Sequence, residues 1–230
     1  MTKALDVTYT PQLDYAAAWD LQKARASQID QGQSNEALML LQHPPTYTMG
    51  SQRHPEHLLL DERELKERGI TLFEIDRGGD ITYHGPGQLV GYPLLLLEGG
   101  KQLDLHGYLR SLEQVIMNYL EQFGIQSCRK PEYTGVWVGD AKICAIGVKF
   151  NKARQHRGFI TSHGFALNIK DQVKQEGFAG IVPCGIQQYG ITSLEECTGG
   201  EIDMEEAARE ITACFTRVFP YEAKLPPDWS

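Results

Sequence analysis

Apolar side chains recur at helical spacing most clearly between residues 104 and 123. Leu105, Leu109, Leu112, Ile116, Leu120 and Phe123 form one stripe, with Asp104 placed to cap its start and Gly124 to stop it. A second helix is predicted near the N-terminus. There Thr10 and Pro11 read as cap and first turn, and Leu13, Ala16, Ala17, Leu21 and Ala24 carry the spacing to about Ser27. A third closes the chain, opened by the capping pair Asp203 and Glu206 and continued by Ile211, Cys214, Phe215 and Val218. A short helix fits residues 61–68. Strand-like runs cover 37–41, 46–49, 71–75, 88–96, 135–138, 142–150 and 158–169, and Pro93 argues against pairing along the whole of 88–96. Polar stretches at 31–35, 50–57 and 151–157 lie between them. The strands cluster in hairpin-like pairs rather than regular βαβ units, and no repeat, low-complexity tract or linker interrupts them. The expected fold is α/β (α+β): a single domain, residues 1–230, with a mixed, largely antiparallel sheet flanked by helices.

Composition narrows the classes of function. At 230 residues and 41% hydrophobic, the chain can bury a core without disulfide or metal staples. Asp and Glu number 30 against 22 Lys and Arg, a net charge of -8, which argues against nucleic-acid binding. The five cysteines form no CxxC pair and join no histidine cluster with zinc spacing, so reduced thiols fit better than a disulfide framework or a structural zinc. No apolar signal region opens the chain. The longest apolar run, residues 89–97, is far below the ~20 residues of a membrane helix and contains Gly91 and Pro93. A cytoplasmic protein without membrane, nucleic-acid or metal partners is expected.

Candidate chemistry concentrates between residues 77 and 88. Arg77, Gly78, Gly79, Asp80, Ile81, Thr82, Tyr83 and His84 are followed by Gly85, Pro86, Gly87 and Gln88. Glycines let a backbone approach a ligand closely, and Arg77, Tyr83 and His84 are placed to line one cleft. A tight turn with polar decoration is the plainer alternative. Neither GxxxxGK[ST] nor GxGxxG is present, which removes support for the usual nucleotide loops.

The segment resembles the signature of the lipoyl(octanoyl) transferases. The resemblance continues in order through Gly135-Val136-Trp137, Lys142-Ile143-Cys144-Ala145-Ile146-Gly147, Ser162-His163-Gly164-Phe165-Ala166-Leu167-Asn168 and Ile181-Val182-Pro183-Cys184-Gly185-Ile186. The motif-bearing core spans about 31–194.

That resemblance implies a fold similar to the biotin and lipoate protein ligases, and a thioester mechanism with a cysteine and a lysine. Octanoate carried on the phosphopantetheine of acyl carrier protein would pass to Cys184. From there it would pass to a lysine of an apo lipoyl domain, in a 2-oxoacid dehydrogenase complex or the glycine cleavage H protein, with no ATP or metal. Lys142, in the matching position, is implied to stabilise the Cys184 thiolate. The implied substrate pocket comprises Arg77 to His84, Ala145, Ile146, Gly147, His163, Gly164, Phe165 and Ala166. Backbone N–H groups around Gly185 are candidate oxyanion donors.

The residues alone leave alternatives open. Cys184 also fits a plain loop cysteine, Lys142 a solvated lysine at a strand start, and His84 and His163 structural roles. Cys144 and Cys214 fall in core-like strand and helix patterns. Lys149, Lys152, Arg154, His156 and Arg157 occur with no acid in residues 149–157, as either a solvated hairpin tip or a docking patch for an acidic carrier protein. An ATP-dependent lipoate or biotin ligase is the nearest alternative function. Lipoate ligases usually carry an acid after the Tyr-His pair, where this chain has Gly85. A transferase between lipoyl-dependent proteins, a Cys184 hydrolase and a noncatalytic binding protein are the others.

Overall fold

The apolar runs and alternating stretches assemble into one large sheet. In the computed structural model, which describes residues 2–99, 103–182 and 189–229, its strands lie side by side. Their order is β13 (Tyr221–Lys224), β1 (Lys3–Thr10), β2 (Glu36–Leu41), β6 (Gln88–Leu94), β11 (Gly158–Asn168), β10 (Ala141–Lys152), β9 (Tyr133–Val138) and β8 (Cys128–Lys130). β1 is parallel to both its neighbours, and every pairing from β2 across to β8 is antiparallel. β7 (Leu96–Glu98) extends along β11, and β12 (Gly190–Ile191) along β10. A smaller sheet has the order β4 (Thr71–Glu74), β3 (Thr46–Met49), β5 (Ile81–His84). The expected mixed, largely antiparallel sheet is present. Among the described residues no helix is long and apolar enough to cross a membrane.

Burial assigns the helices to faces. α3 (Leu105–Glu121) is capped as expected, Asp104 accepting from the Gly107 N–H at 2.7 Å. With α5 (Met204–Val218) it covers one face of the sheet, where Leu112, Ile116, Ile211 and Phe215 pack against Leu38, Leu89, Val148 and Leu167. The opposite face carries α1 (Tyr15–Asp30), whose Ala18 packs with Val90, Tyr92 and Ala166. α2 (Glu62–Glu67) begins in a complete capping box at Asp61 and Glu64, and α4 (Leu194–Thr198) follows β12.

The N-terminal expectation needs correction. Thr10 is not a helix cap: it ends β1, opposite Leu41, and the helix begins at Tyr15. The inward face also differs. Tyr15, Ala18, Gln22 and Ile29 are buried, while Leu21 is 51% exposed. Hydrophobic spacing missed this face because Gln22 is polar; its Oε1 accepts from the His163 N–H at 2.7 Å.

Pro93 has a two-sided effect. On the β2 side it keeps register, opposite Leu38. On the β11 side pairing stops at Gly91, where a missing N–H breaks the ladder. Thr161 spans the gap, its Oγ1 donating to Pro93 O at 2.7 Å and accepting from the Leu95 N–H at 2.9 Å.

Candidate active site

Two breaks in strand regularity build the site. β10 carries a bulge between Lys142 and Cys144, so Lys142 stands opposite Trp137 and Cys144 opposite Val136. Strict alternation would put Lys142 on the face of Cys144 and Val148, which meets α3 and α5. The extra residue moves it to the face of Ala145 and Gly147. Gly135 closes the bulge at φ +139, where a Cβ would lie 2.5 Å from the Cys144 carbonyl oxygen. Its N–H donates at 3.1 Å to Glu113, a fully buried carboxylate that also holds Arg110 and Arg129 at 2.8 Å each.

The second break is His163, which has φ 57, the one positive value outside glycine among the described residues. It lies opposite Val148, a core residue, in the stretch of β11 that Pro93 leaves without a β6 partner. The left-handed backbone turns its ring into the cavity, and its Nε2 lies 2.9 Å from Asp76 Oδ1.

The resulting cavity gathers most of the anticipated residues. Arg77, Gly78, Gly79, Thr82 and His84 line it, together with Lys142, Ala145, Ile146, Gly147, His163, Gly164, Phe165 and Ala166. Three of the anticipated residues are elsewhere. On β5, Thr82 and His84 face the cavity, so Ile81 and Tyr83 point the other way, into a second core with Tyr47, Met49 and Leu65. Asp80 is turned to His57 Nδ1 and the His54 N–H rather than the cavity. Cys184, with Pro183 and Gly185, lies outside the described residues. Of the residues that flank it, the Val182 N–H donates to His57 O at 2.8 Å, and β12 runs parallel to β10 at Ala141 and Lys142.

Cationic and neutral groups meet on the cavity wall. Lys142 is 7% exposed, its Nζ 4.8 Å from the Trp137 ring centroid, and it makes no ion pair with any described residue. Arg77, also buried, donates to Thr48 O at 2.8 Å and to Thr48 Oγ1 at 2.9 Å. Asp76 pairs with His163 and Lys149, which hold its carboxyl well below the usual carboxylate range. Burial pushes the pKa values of His84 and His163 down, and the Arg77 charge adds to both.

Tyr15 and Tyr92 line the cavity with His84, and the His43 ring packs against all three. Tyr15 stacks on His84 at 5.9 Å, and His43 Nε2 accepts from the Tyr92 hydroxyl at 2.7 Å. Hydrophobic patterning gave no sign of them, because aromatic and histidine positions within apolar runs read as core. Burial lowers the His43 pKa to about 4. Unfolding therefore raises it toward 6.5, and the unfolded chain takes up a proton that the native state refuses. Stability is complete above about pH 6.5 and falls by about 2 kcal/mol from this group by pH 5. The stability lost between pH 7.5 and pH 5 in urea unfolding should be larger in the wild type than in His43→Asn by that increment, since His84 and His163 contribute to both.

Two of the other cysteines are poor nucleophiles. Cys144 and Cys214 are fully buried, and burial pushes both thiols up. The basic hairpin is not isolated from acids either. Asp76 meets Lys149, Asp30 accepts the Arg154 N–H at 2.9 Å, and Glu98 lies 3.9 Å from His156, while Lys152, Arg154 and Arg157 are exposed. Among the described residues no cluster of His, Cys, Asp or Glu is arranged to hold a metal ion.

The family described as Lipoyl protein ligase A/B catalytic domain matches residues 14–216. The chain is 47% identical to an octanoyltransferase of Rubrobacter xylanophilus, over 94% of each chain. It is 42% identical to one of Chloroflexus aggregans, over 94% of this chain and 96% of that one. Among solved structures, a putative lipoate protein ligase from T. acidophilum superposes with a TM-score of 0.70 at 15% identity, covering 97% of this chain and 89% of that one. A lipoate-protein ligase A bound with ATP gives 0.70 at 14% identity, covering 98% and 90%. These two establish the likeness of fold.

Proposed function

The chain belongs to the lipoyl protein ligase A/B catalytic-domain family, and on that premise we propose that it is an octanoyltransferase of lipoate biosynthesis, a single catalytic domain acting in the cytoplasm. The donor is octanoyl-acyl carrier protein and the acceptor is a lysine of an apo lipoyl domain, in a 2-oxoacid dehydrogenase complex or the glycine cleavage H protein. The observation that carries the reading is Lys142. A buried ammonium with no carboxylate partner among the described residues sits on the cavity wall beside β12, the strand that follows the Cys184 segment in sequence.

Cys184 is the nucleophile. Its thiolate attacks the donor's thioester carbonyl, the carbon–sulfur bond to pantetheine breaks, and the pantetheine thiolate leaves to take up a proton. One thioester replaces another, so the step needs no ATP. The acceptor amine then attacks the acyl-cysteine, loses a proton, and expels the Cys184 thiolate as the amide forms. Two half-reactions predict ping-pong kinetics.

Lys142 stabilises the thiolate in the first step and, once neutral, accepts the amine's proton in the second. Ala145, Gly147, Gly164 and Ala166 leave room along the sheet for the acyl chain, beside Tyr15 and Tyr92. Polar groups of Arg77, Thr82 and His84 orient the carbonyl end.

The ligase reading predicts a different requirement. Purified chain should move octanoate from octanoyl-acyl carrier protein to an apo lipoyl domain without ATP. Transfer only from free octanoate or lipoate with ATP would replace this reading with the ligase.

A further inference from the structure

We propose that Gln88 and Asn168 are positioning residues, forming a buried hydrogen-bond relay that fixes Lys142 against the exit of the Cys184 segment. The inference rests on the octanoyltransferase reading above, which gives Lys142 and Cys184 their roles.

Every link of the relay runs in one direction. The Arg77 guanidinium donates to Thr48 Oγ1 at 2.9 Å, and the Thr48 hydroxyl donates on to His84 Nε2 at 3.3 Å. His84 Nδ1 donates to Gln88 Oε1 at 2.9 Å, so the ring is neutral with its proton on Nδ1. Gln88 Nε2 donates to Asn168 Oδ1 at 3.0 Å, and Asn168 Nδ2 to Thr192 O at 3.0 Å. The Thr192 N–H then donates to Lys142 O at 3.1 Å. Gln88, Asn168 and Thr192 are all buried, so each bond replaces water rather than competing with it.

The relay ends at the Lys142 backbone, beside the strand that follows the Cys184 segment in sequence. Thr192 follows β12, the two-residue strand beside Ala141 and Lys142 that receives the chain after the Cys184 segment. Asn168 is the last residue of β11 and holds that exit with a single amide. Apolar packing there would leave β12 free to slide, since a two-residue strand has little register of its own. Polar side chains at the ends of two apolar strands are costly unless fully satisfied, and here each donor and acceptor of the chain of contacts is used once.

The test uses neutral near-isosteres, because an added charge would shift a thiol by itself. Asn168→Leu and Gln88→Met are compared with the full-length wild type. Alkylation by iodoacetamide is followed across pH at Cys184, with exposed Cys128 of the same molecule as reference. Steady-state kcat and KM for octanoyl-acyl carrier protein are measured beside it. The wild-type midpoint should lie below the ~8.5 of a free cysteine. In the variants it should rise toward that value at Cys184 alone, with kcat lower by roughly 10- to 100-fold and KM nearly unchanged. If Asn168→Leu does not fold, Gln88→Met carries the same readout, since it leaves the Asn168–Thr192 bond and removes only its upstream partner. A folded variant with the wild-type alkylation midpoint and wild-type kcat would overturn the relay. A wild-type chain that transfers no octanoate would overturn the underlying reading, and the inference with it.

Discussion

Replacing Cys184 with serine should abolish the octanoyl adduct and lower kcat/KM for octanoyl-acyl carrier protein by about a thousandfold or more. A serine hydroxyl is a weak nucleophile at its ordinary pKa, and a lysine ammonium that stabilises a thiolate cannot act as its base. Serine is nearly isosteric with cysteine, so the variant should keep the wild-type unfolding midpoint. None of the remaining cysteines lines the cavity, half-buried Cys197 included. Cys144 and Cys214 are enclosed in the core with their thiols pushed up by burial, and Cys128 is exposed on the outer strand β8. Steady-state rates of Cys184→Ser and, separately, Cys144→Ala should therefore diverge by orders of magnitude. Comparable rates would remove Cys184 from the mechanism.

Lys142→Met should lower kcat by roughly 100- to 1,000-fold, because the proposed mechanism uses this ammonium in both half-reactions. Methionine keeps an unbranched stem and removes the charge, which lies 4.8 Å from the Trp137 ring centroid. The alkylation midpoint of Cys184 should move up toward ~8.5. Lys142→Arg separates the two roles. An arginine preserves the positive charge but never gives up its proton, so it cannot receive one from the attacking amine. The arginine variant should still form acyl-enzyme in a single turnover and should stall in transfer to the lipoyl domain. Loss of both steps to the same degree would mean that position, rather than proton transfer, is what Lys142 contributes.

Much of the scaffold was legible because it follows from periodicity. The α3 stripe with its Asp104 cap, the Asp203 cap of α5 and the hairpin of β10 and β11 lie where spacing and turn chemistry place them. β1 and β13 escaped because each is half-exposed and paired by partners distant in sequence, so neither shows a distinct pattern. The inward face of α1 was misread for a related reason. Gln22 is buried to satisfy the His163 N–H, and a hydrophobic scale counts it as outward.

The site was legible as a set of segments but not as a geometry. Both residues that reach the cavity against their strand's parity, Lys142 and His163, do so through features that side-chain identity does not encode. One depends on a bulge opposite Trp137 and Val136, the other on a left-handed backbone beside a gap opened by Pro93. The same parity explains why an unbroken motif contributes only alternate residues: Thr82 and His84 line the cavity while Ile81 and Tyr83 hold up the sheet behind it. Gln88 and Asn168 sat inside recognisable motifs, yet their bond to each other joins residues 80 positions apart and is visible only in the fold.

The central claim is a covalent octanoyl-enzyme on Cys184, and intact-mass spectrometry tests it most directly. The chain is mixed with octanoyl-acyl carrier protein in the absence of ATP, beside Cys184→Ser. One octanoyl adduct is predicted, sensitive to hydroxylamine, absent from the serine variant, and discharged when an apo lipoyl domain is added. Unmodified protein together with undiminished transfer by Cys184→Ser would contradict the account and require direct transfer from donor to acceptor.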